Sequence, residues 1–455
     1  MARFQQLHQH PNVVIAGGGV AALEALMALK ALAGDLVHIE LLAPELEFSY
    51  RPVAVAAPFG LGEVRRFELA TIVADHDAHY RQDALVEVDR RAAAAVTEGG
   101  ERLAYDYLVV ATGARPTAGV EGALTFGGEP DRQAIEEVLE AAQRGAVRRI
   151  VFAAPTDGTW LIPLYELALF TAAWAQRREL IELELAIVTP ELRPMEAFGA
   201  GAGEALGELL SDAKIEFHGD CAGLAFDGHE LSRRNAPAIP ADAVIALPKL
   251  VGRPVAGLPQ DTEGFIPTDR HGAVRGMLRV YAAGDGTTFP IKQGGLAAQQ
   301  ADAVAEAIAV DLGALYRAKP FHPVLRGLLL TGAEPRYLRA TRDPEVSEVA
   351  FTPLWWPPSK IAGRYLAPYL ARSTDPALTR EPFADRAAPD KPEALEEVSA
   401  DEREAVELLL ELAEANARRG SFDFALKCLD AAEDVGGPLP APWPRERRAW
   451  EQQRR

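Results

Sequence analysis

Cysteine is almost missing: Cys221 and Cys428 are the two present in 455 residues. That excludes a disulfide framework and fits a reducing compartment. Basic residues are also short, 47 Lys and Arg against 66 Asp and Glu, for a net charge of −19. Such a balance argues against nucleic acid or an anionic membrane as a general partner. No apolar run reaches the length of a membrane span, and residues 1–12 are too polar for a signal peptide. The expected location is therefore the cytoplasm, with a peripheral membrane contact left open. What is present is an ordinary globular composition, 48% hydrophobic and 25% charged, with length for two or three domains.

The most informative stretch is Val13-Val14-Ile15-Ala16-Gly17-Gly18-Gly19-Val20-Ala21-Ala22. An apolar strand runs into a glycine turn, and a helix is expected over 21–33. This is the opening of a dinucleotide-binding unit in its G-x-G-x-x-A form. Gly17 permits the tight turn, Gly19 lets backbone approach a pyrophosphate, and Ala22 lets the helix sit close on the strand. The helix start then offers free N–H groups to the phosphates.

A second strand is expected over 36–42, ending at Ala43-Pro44-Glu45. An acid there takes ribose hydroxyls in such units, and Glu45 and Glu40 are equal candidates. Phe48-Ser49-Tyr50-Arg51-Pro52 is expected as a loop lining the site. Short strands follow over 80–89 and 93–96, and another ends in Ala111-Thr112-Gly113, where backbone can come close to the first loop's ligand. A second βαβ unit begins near Arg149, with a helix over 160–176. Its second strand ends Thr189-Pro190-Glu191-Leu192, matching Ala43-Pro44-Glu45-Leu46, so two related nucleotide-type folds are expected. Its strand-to-helix loop, Ala154-Pro155-Thr156-Asp157-Gly158-Thr159, lacks the glycine fingerprint. Pro155 removes an N–H there, and the bulkier side chains crowd a phosphate.

Further on, a strand runs into Ala283-Gly284-Asp285, where the carboxylate can accept hydrogen bonds from sugar-chain hydroxyls. Lys292-Gln293-Gly294-Gly295 opens an Ala-rich helix over 296–310, whose start can stabilise negative charge. In 360–370, Ile361, Tyr365, Leu366 and Tyr369 form an apolar stripe beside Lys360 and Arg364. Packing or dimerisation is favoured for it over a membrane or quinone-site wall. His76-Asp77-Ala78-His79 has metal-like residue types but lacks further ligands, so no metal is expected. Residues 373–399, rich in Pro, Ala and charge, read as a linker, and helices over 401–417 and 423–435 read as a hairpin that Pro438 to Pro444 ends.

Together, Gly17 to Ala22, Ala111-Thr112-Gly113, Gly284-Asp285 and Lys292 to Gly295 resemble the flavoprotein family of pyridine nucleotide-disulfide oxidoreductases. Phe48 to Pro52, Leu247-Pro248 and Lys292 to Gly295 are most similar to its sulfide:quinone oxidoreductase and type II NADH dehydrogenase branch. The resemblance covers about residues 11–371. It implies an α/β fold of two Rossmann-like domains, of the glutathione-reductase type, plus a small C-terminal helical hairpin. The implied boundaries are FAD-binding parts at 1–120 and 244–315, an inserted NAD(P)-type domain at 121–243 and an interface segment at 316–372. The linker at 373–399 and a hairpin at 400–455, resembling one tetratricopeptide repeat, complete the chain.

The resemblance implies FAD, with its pyrophosphate on Gly17, Gly18, Gly19, Val20, Ala21 and Ala22. It places Asp285 on the ribityl hydroxyls and Lys292, Gly294 and Gly295 near the flavin's pyrimidine edge. Arg51 and Pro52 fall near the ring. Glu166 matches the helix glutamate that follows the second fingerprint in relatives, and with Lys292 and Arg51 it completes the expected catalytic set. Two departures matter. The segment 48–60 holds no cysteine, so a thiol relay is not expected, and both cysteines read as packing residues. The second fingerprint is absent, so NAD(P)H binds weakly, differently or not at all. Arg193 could meet a 2′-phosphate, and a solvated arginine is the favoured reading. The function expected is FAD-dependent transfer of two electrons, with NAD(P)H as a candidate donor and a quinone or protein as acceptor. Partners would be small molecules, with a homodimer or a protein docked on the C-terminal helices also open. The competing expectation is an inert flavin-holding scaffold acting through those helices.

Overall fold

The computed structural model describes residues 10–156, 158–234, 236–340, 347–374 and 400–454. The chain opens with β1 (Asn12–Ala16), α1 (Val20–Ala33), β2 (His38–Leu42), β3 (Glu47–Tyr50), β4 (His79–Arg81) and β5 (Tyr107–Val110). It then folds a second unit: β6 (Leu124–Thr125), α2 (Arg132–Gln143), β7 (Arg149–Ala153), α3 (Ile162–Arg177), β8 (Glu184–Val188), α4 (Ala200–Asp212), β9 (Ile215–His218) and β10 (Ala243–Ala246). It returns to the first unit with β11 (Val280–Ala282) and α5 (Gly294–Asp311).

The first sheet has the order β11-β5-β1-β2-β4 and the second β6-β10-β7-β8-β9, with parallel pairing throughout. The two orders correspond strand for strand, β1 to β7 and β2 to β8, as the paired Pro-Glu strand ends imply. The orders reverse at β1 and at β7. In open parallel sheets that switch point, at the carboxyl ends of the strands, is where a crevice forms.

β1 can be a near-continuous apolar run because helices and strands cover it on every side: Val13, Val14, Ile15 and Ala16 are wholly buried. α1 is also apolar nearly all round and packs against α5, whose Ala297, Ala301 and Ala305 keep the two backbones close. The one acidic residue of α1, Glu24, is wholly buried. Its carboxylate accepts from the backbone N–H groups of Tyr365, at 2.7 Å, and Leu366, at 2.9 Å. Those are orphan donors at the start of α6 (Leu366–Thr374). Glu24 therefore fastens α6 to the first unit, and Ile361 and Leu366 bury there. The apolar stripe of 360–370 is thus packing, although Lys360 lies before the helix and points elsewhere.

Several sequence expectations need correction. The second strand begins at His38, because Gly34, with φ +54°, ends α1 and a 3-10 turn takes residues up to Leu36. Residues 48–52 are not a loop: β3 pairs with Arg65–Glu68, and a 3-10 helix (Arg51–Phe59) follows. Cys221 lies past the end of β9 rather than within it. Ser373 and Thr374 end α6, and the rest of the expected linker lies outside the described residues. After it come α7 (Ala400–Arg418) and α8 (Phe422–Gly436), then an unforeseen α9 (Trp443–Gln453). Pro444 sits in the first turn of α9, where its missing N–H costs no bond. Trp450 closes a separate small core with Leu409, Cys428, Leu429 and Ala432.

Candidate functional site

Gly17 has φ +134°, and a Cβ there would lie 2.2 Å from the Ala111 carbonyl oxygen, so glycine is obligatory. The neighbouring strand approaches this closely because the Ala111 N–H donates to the Ala16 carbonyl at 2.7 Å. Gly19 is the N-cap of α1, exposed, with nothing within 4 Å of the place a Cβ would take. The helix start behind it has no side-chain cap, so its free N–H groups face that open space. Val20 is half-buried, while Ala21 and Ala22 are buried.

The other two loops arrive at the same edge. A Cβ on Gly284 would meet Ala21 Cβ at 3.0 Å and Ala297 Cβ at 3.5 Å, and one on Gly286 would meet the Gly113 carbonyl at 3.1 Å. Gln300 holds this turn by accepting from the Gly284 N–H at 2.7 Å. The glycine corner, Ala111-Thr112-Gly113 and Gly284-Asp285 therefore stand together at the switch point of the first sheet.

Asp285 is half-buried beyond that turn, and no hydrogen bond reaches its carboxylate from the described residues. Burial raises its pKa, against the opposing charges of Lys292 and Arg51. Lys292 donates to the Thr287 carbonyl, and its ammonium lies 3.8 Å from the centroid of the Phe265 ring. Burial pulls its pKa down to about 7. Gln293, which the motif reading passed over, caps α5 by accepting from the Leu296 N–H at 2.7 Å. Gly294 and Gly295 form its first turn. A cavity of about 620 Å³ lies between the units, lined by Arg51, Pro52, Asp285, Lys292 and Gly294 on one side and by Thr156, Gly158, Trp160 and Leu247 on the other.

The two acid candidates for a ribose separate. Glu40 is tied to Arg81 across the sheet, while Glu45 is exposed, its Oε2 3.4 Å from where a Cβ on Gly18 would be. Glu166 needs correction as a catalytic candidate. It is wholly buried on α3, accepts from the Leu330 N–H at 2.7 Å and is paired with Lys360. Lys360 lines the cavity and Glu166 does not. Nothing in sequence spacing joins positions 166 and 360. Both cysteines are buried, and neither is in a disulfide. Arg193 is exposed.

Residues 11–151 match the family model described as pyridine nucleotide-disulphide oxidoreductase. Over 116 residues the chain is 30% identical to a sulfide-quinone reductase of Aquifex aeolicus, 24% of this chain and about a quarter (26%) of that protein's length. The solved sulfide:quinone oxidoreductase from Aquifex aeolicus superposes with a TM-score of 0.67 at 19% identity, covering 75% of this chain and 87% of the other. A ferredoxin reductase from Rhodopseudomonas palustris gives 0.56 at 19% identity, covering 72% and 82%. The fold is that of the pyridine nucleotide-disulphide oxidoreductases.

Against that fold, the residues at the first switch point fit the expected cofactor, FAD. An open glycine cradle at a helix start, an acid at the second strand's end and a carboxylate that no described residue hydrogen-bonds are the donors and acceptors such a dinucleotide needs. The second unit differs from it at the acid. Glu191 accepts from the Tyr165 hydroxyl at 2.7 Å and the Glu196 N–H at 3.0 Å, and burial raises its carboxyl pKa to about 8. Between the unfolded value near 4.5 and about 8, the folded chain binds the extra proton, so this group's contribution to stability falls as pH rises. Urea unfolding of Glu191→Gln is therefore expected to lose that decline, gaining on the parent from pH 5 to pH 8.

Proposed function

We propose that this chain is an FAD-dependent oxidoreductase that passes two electrons through the flavin without a cysteine relay, with a quinone or a redox protein as acceptor. The observation that carries it is the meeting of the glycine corner, Gly113 and Gly284-Asp285 at one sheet edge, with the Asp285 carboxylate left for a ligand. FAD, when bound, supplies the two-electron chemistry. Gly17 to Ala22 would hold the pyrophosphate, Glu45 the ribose and Asp285 the ribityl hydroxyls. Arg51 and Lys292 place positive charge at the cavity wall. With its pKa about 7, Lys292 can hold or release a proton at Nζ near neutrality. Residues 1–120 and 244–315 would form the FAD-binding parts around the inserted unit, 121–243. Among the described residues no helix is long and apolar enough to cross a membrane.

A second reading, an inert flavin-holding scaffold, is favoured by one feature: Phe422, Phe424 and Lys427 of the hairpin stand over the same cavity. Anaerobic mixing of the yellow protein with sulfide, NADH and NADPH separates the two. Bleaching by any donor, then re-oxidation by a water-soluble quinone, supports the oxidoreductase. Flavin that stays oxidised with every donor supports the scaffold.

A further inference from the structure

A dinucleotide on a unit of this kind uses two places: the loop after the first strand, for the pyrophosphate, and the end of the second strand, for the adenosine ribose. In the second unit these are 154–161, after β7, and Thr189-Pro190-Glu191, after β8. Both are already filled. At the first, Gly158 has φ +79°, and a Cβ on it would lie 2.3 Å from Cε2 of the Phe424 ring. The helix behind it, α3, starts with Pro163 in its first turn, which removes an N–H. Trp160 packs against Phe198, ring centroids 5.8 Å apart. At the second, Arg419 donates from Nη1 to the Pro190 carbonyl at 2.6 Å and to Glu196 Oε2 at 3.0 Å. The strand-end acid, Glu191, is turned onto Tyr165 and the Glu196 N–H rather than outward.

Arg419 lies in the turn between α7 and α8, and Phe424 in the first turn of α8. α8 is anchored again on the flavin side, where Lys427 pairs with Glu263 beside the Phe265 ring. We propose that the C-terminal hairpin is a built-in occupant of the second dinucleotide site, so that Phe424 and Arg419 determine reductant specificity by excluding NAD(P)H. The inference rests on the flavin reading for the word reductant, but the exclusion itself concerns the second unit alone. What reaches the 620 Å³ cavity is then a molecule smaller than a dinucleotide.

The test is calorimetric titration of the full-length chain with NADH and NADPH, alongside Phe424→Ala and Arg419→Ala. Arg419 stands outside the buried core of the hairpin and Phe424 packs against it, so each variant checks the other should one fail to fold. Dinucleotide binding is read directly, so a chain without flavin defeats the functional proposal and leaves this one measurable. The expected result is no saturable binding to the parent at about 1 mM and binding to a folded variant at least about tenfold tighter. Micromolar binding of either nucleotide to the parent overturns the proposal. So does a pair of folded variants that bind no better than the parent.

Discussion

Gly19→Glu is expected to leave a folded chain that no longer holds FAD. At Gly19 φ is −94°, which any residue can adopt, and no atom lies within 4 Å of an added Cβ. An acidic residue at a helix start is favourable by about 0.3–1 kcal/mol, so α1 loses nothing. The same carboxylate would stand where the pyrophosphate approaches, and flavin affinity should fall by about 100-fold or more, about 2.7 kcal/mol. Gly17→Ala makes the contrast. Its φ of +134° and the 2.2 Å approach to the Ala111 carbonyl penalise the fold itself, by at least about 1–3 kcal/mol from backbone strain alone. Absorbance and thermal melts with and without added FAD distinguish them. Gly19→Glu should melt like the flavin-free parent and gain nothing from FAD, whereas Gly17→Ala should melt below both.

Lys360→Met should be among the most destabilising single changes. It strips the cation from Glu166, which is wholly buried, leaving a carboxylate whose remaining partner is the Leu330 N–H. Breaking a buried pair from one side costs about 3–5 kcal/mol. Burial already raises the Glu166 pKa despite Lys360, and removing Lys360 raises it further. Protonation then relieves the variant, so its deficit should be larger at pH 8 than at pH 5 in urea unfolding. Adding Glu166→Leu should recover most of the loss, because the double variant buries no charge. A flat deficit across pH, or no recovery, would mean the pair is not the fastening between α3, Leu330 and residue 360 that the geometry indicates.

The first unit was legible because its requirements are local. Gly17, Gly19 and Ala22 answer to one turn, and the apolar run into Ala16 has the length of a covered strand. The matching Pro-Glu endings at Glu45 and Glu191 announced the repeat. What the sequence could not show was long-range pairing. Glu166 carried the right helix and spacing for a role beside the flavin, yet a lysine 194 positions on consumes it. Glu24 stands in a largely apolar helix, and its partners lie more than 340 residues away. The hairpin was read correctly as two helices, but helix periodicity says nothing about which surface Phe424 and Arg419 cover. The strand β3 was missed because its partner is separated by a 3-10 segment rather than a short turn.

The parent protein in the glycine experiment gives the most direct test of the whole account. The chain should purify yellow, or become so with added FAD, at about one flavin per chain by absorbance after removal of free cofactor. A colourless chain that takes up no FAD at any concentration would contradict the claim that three loops at one sheet edge form a flavin site.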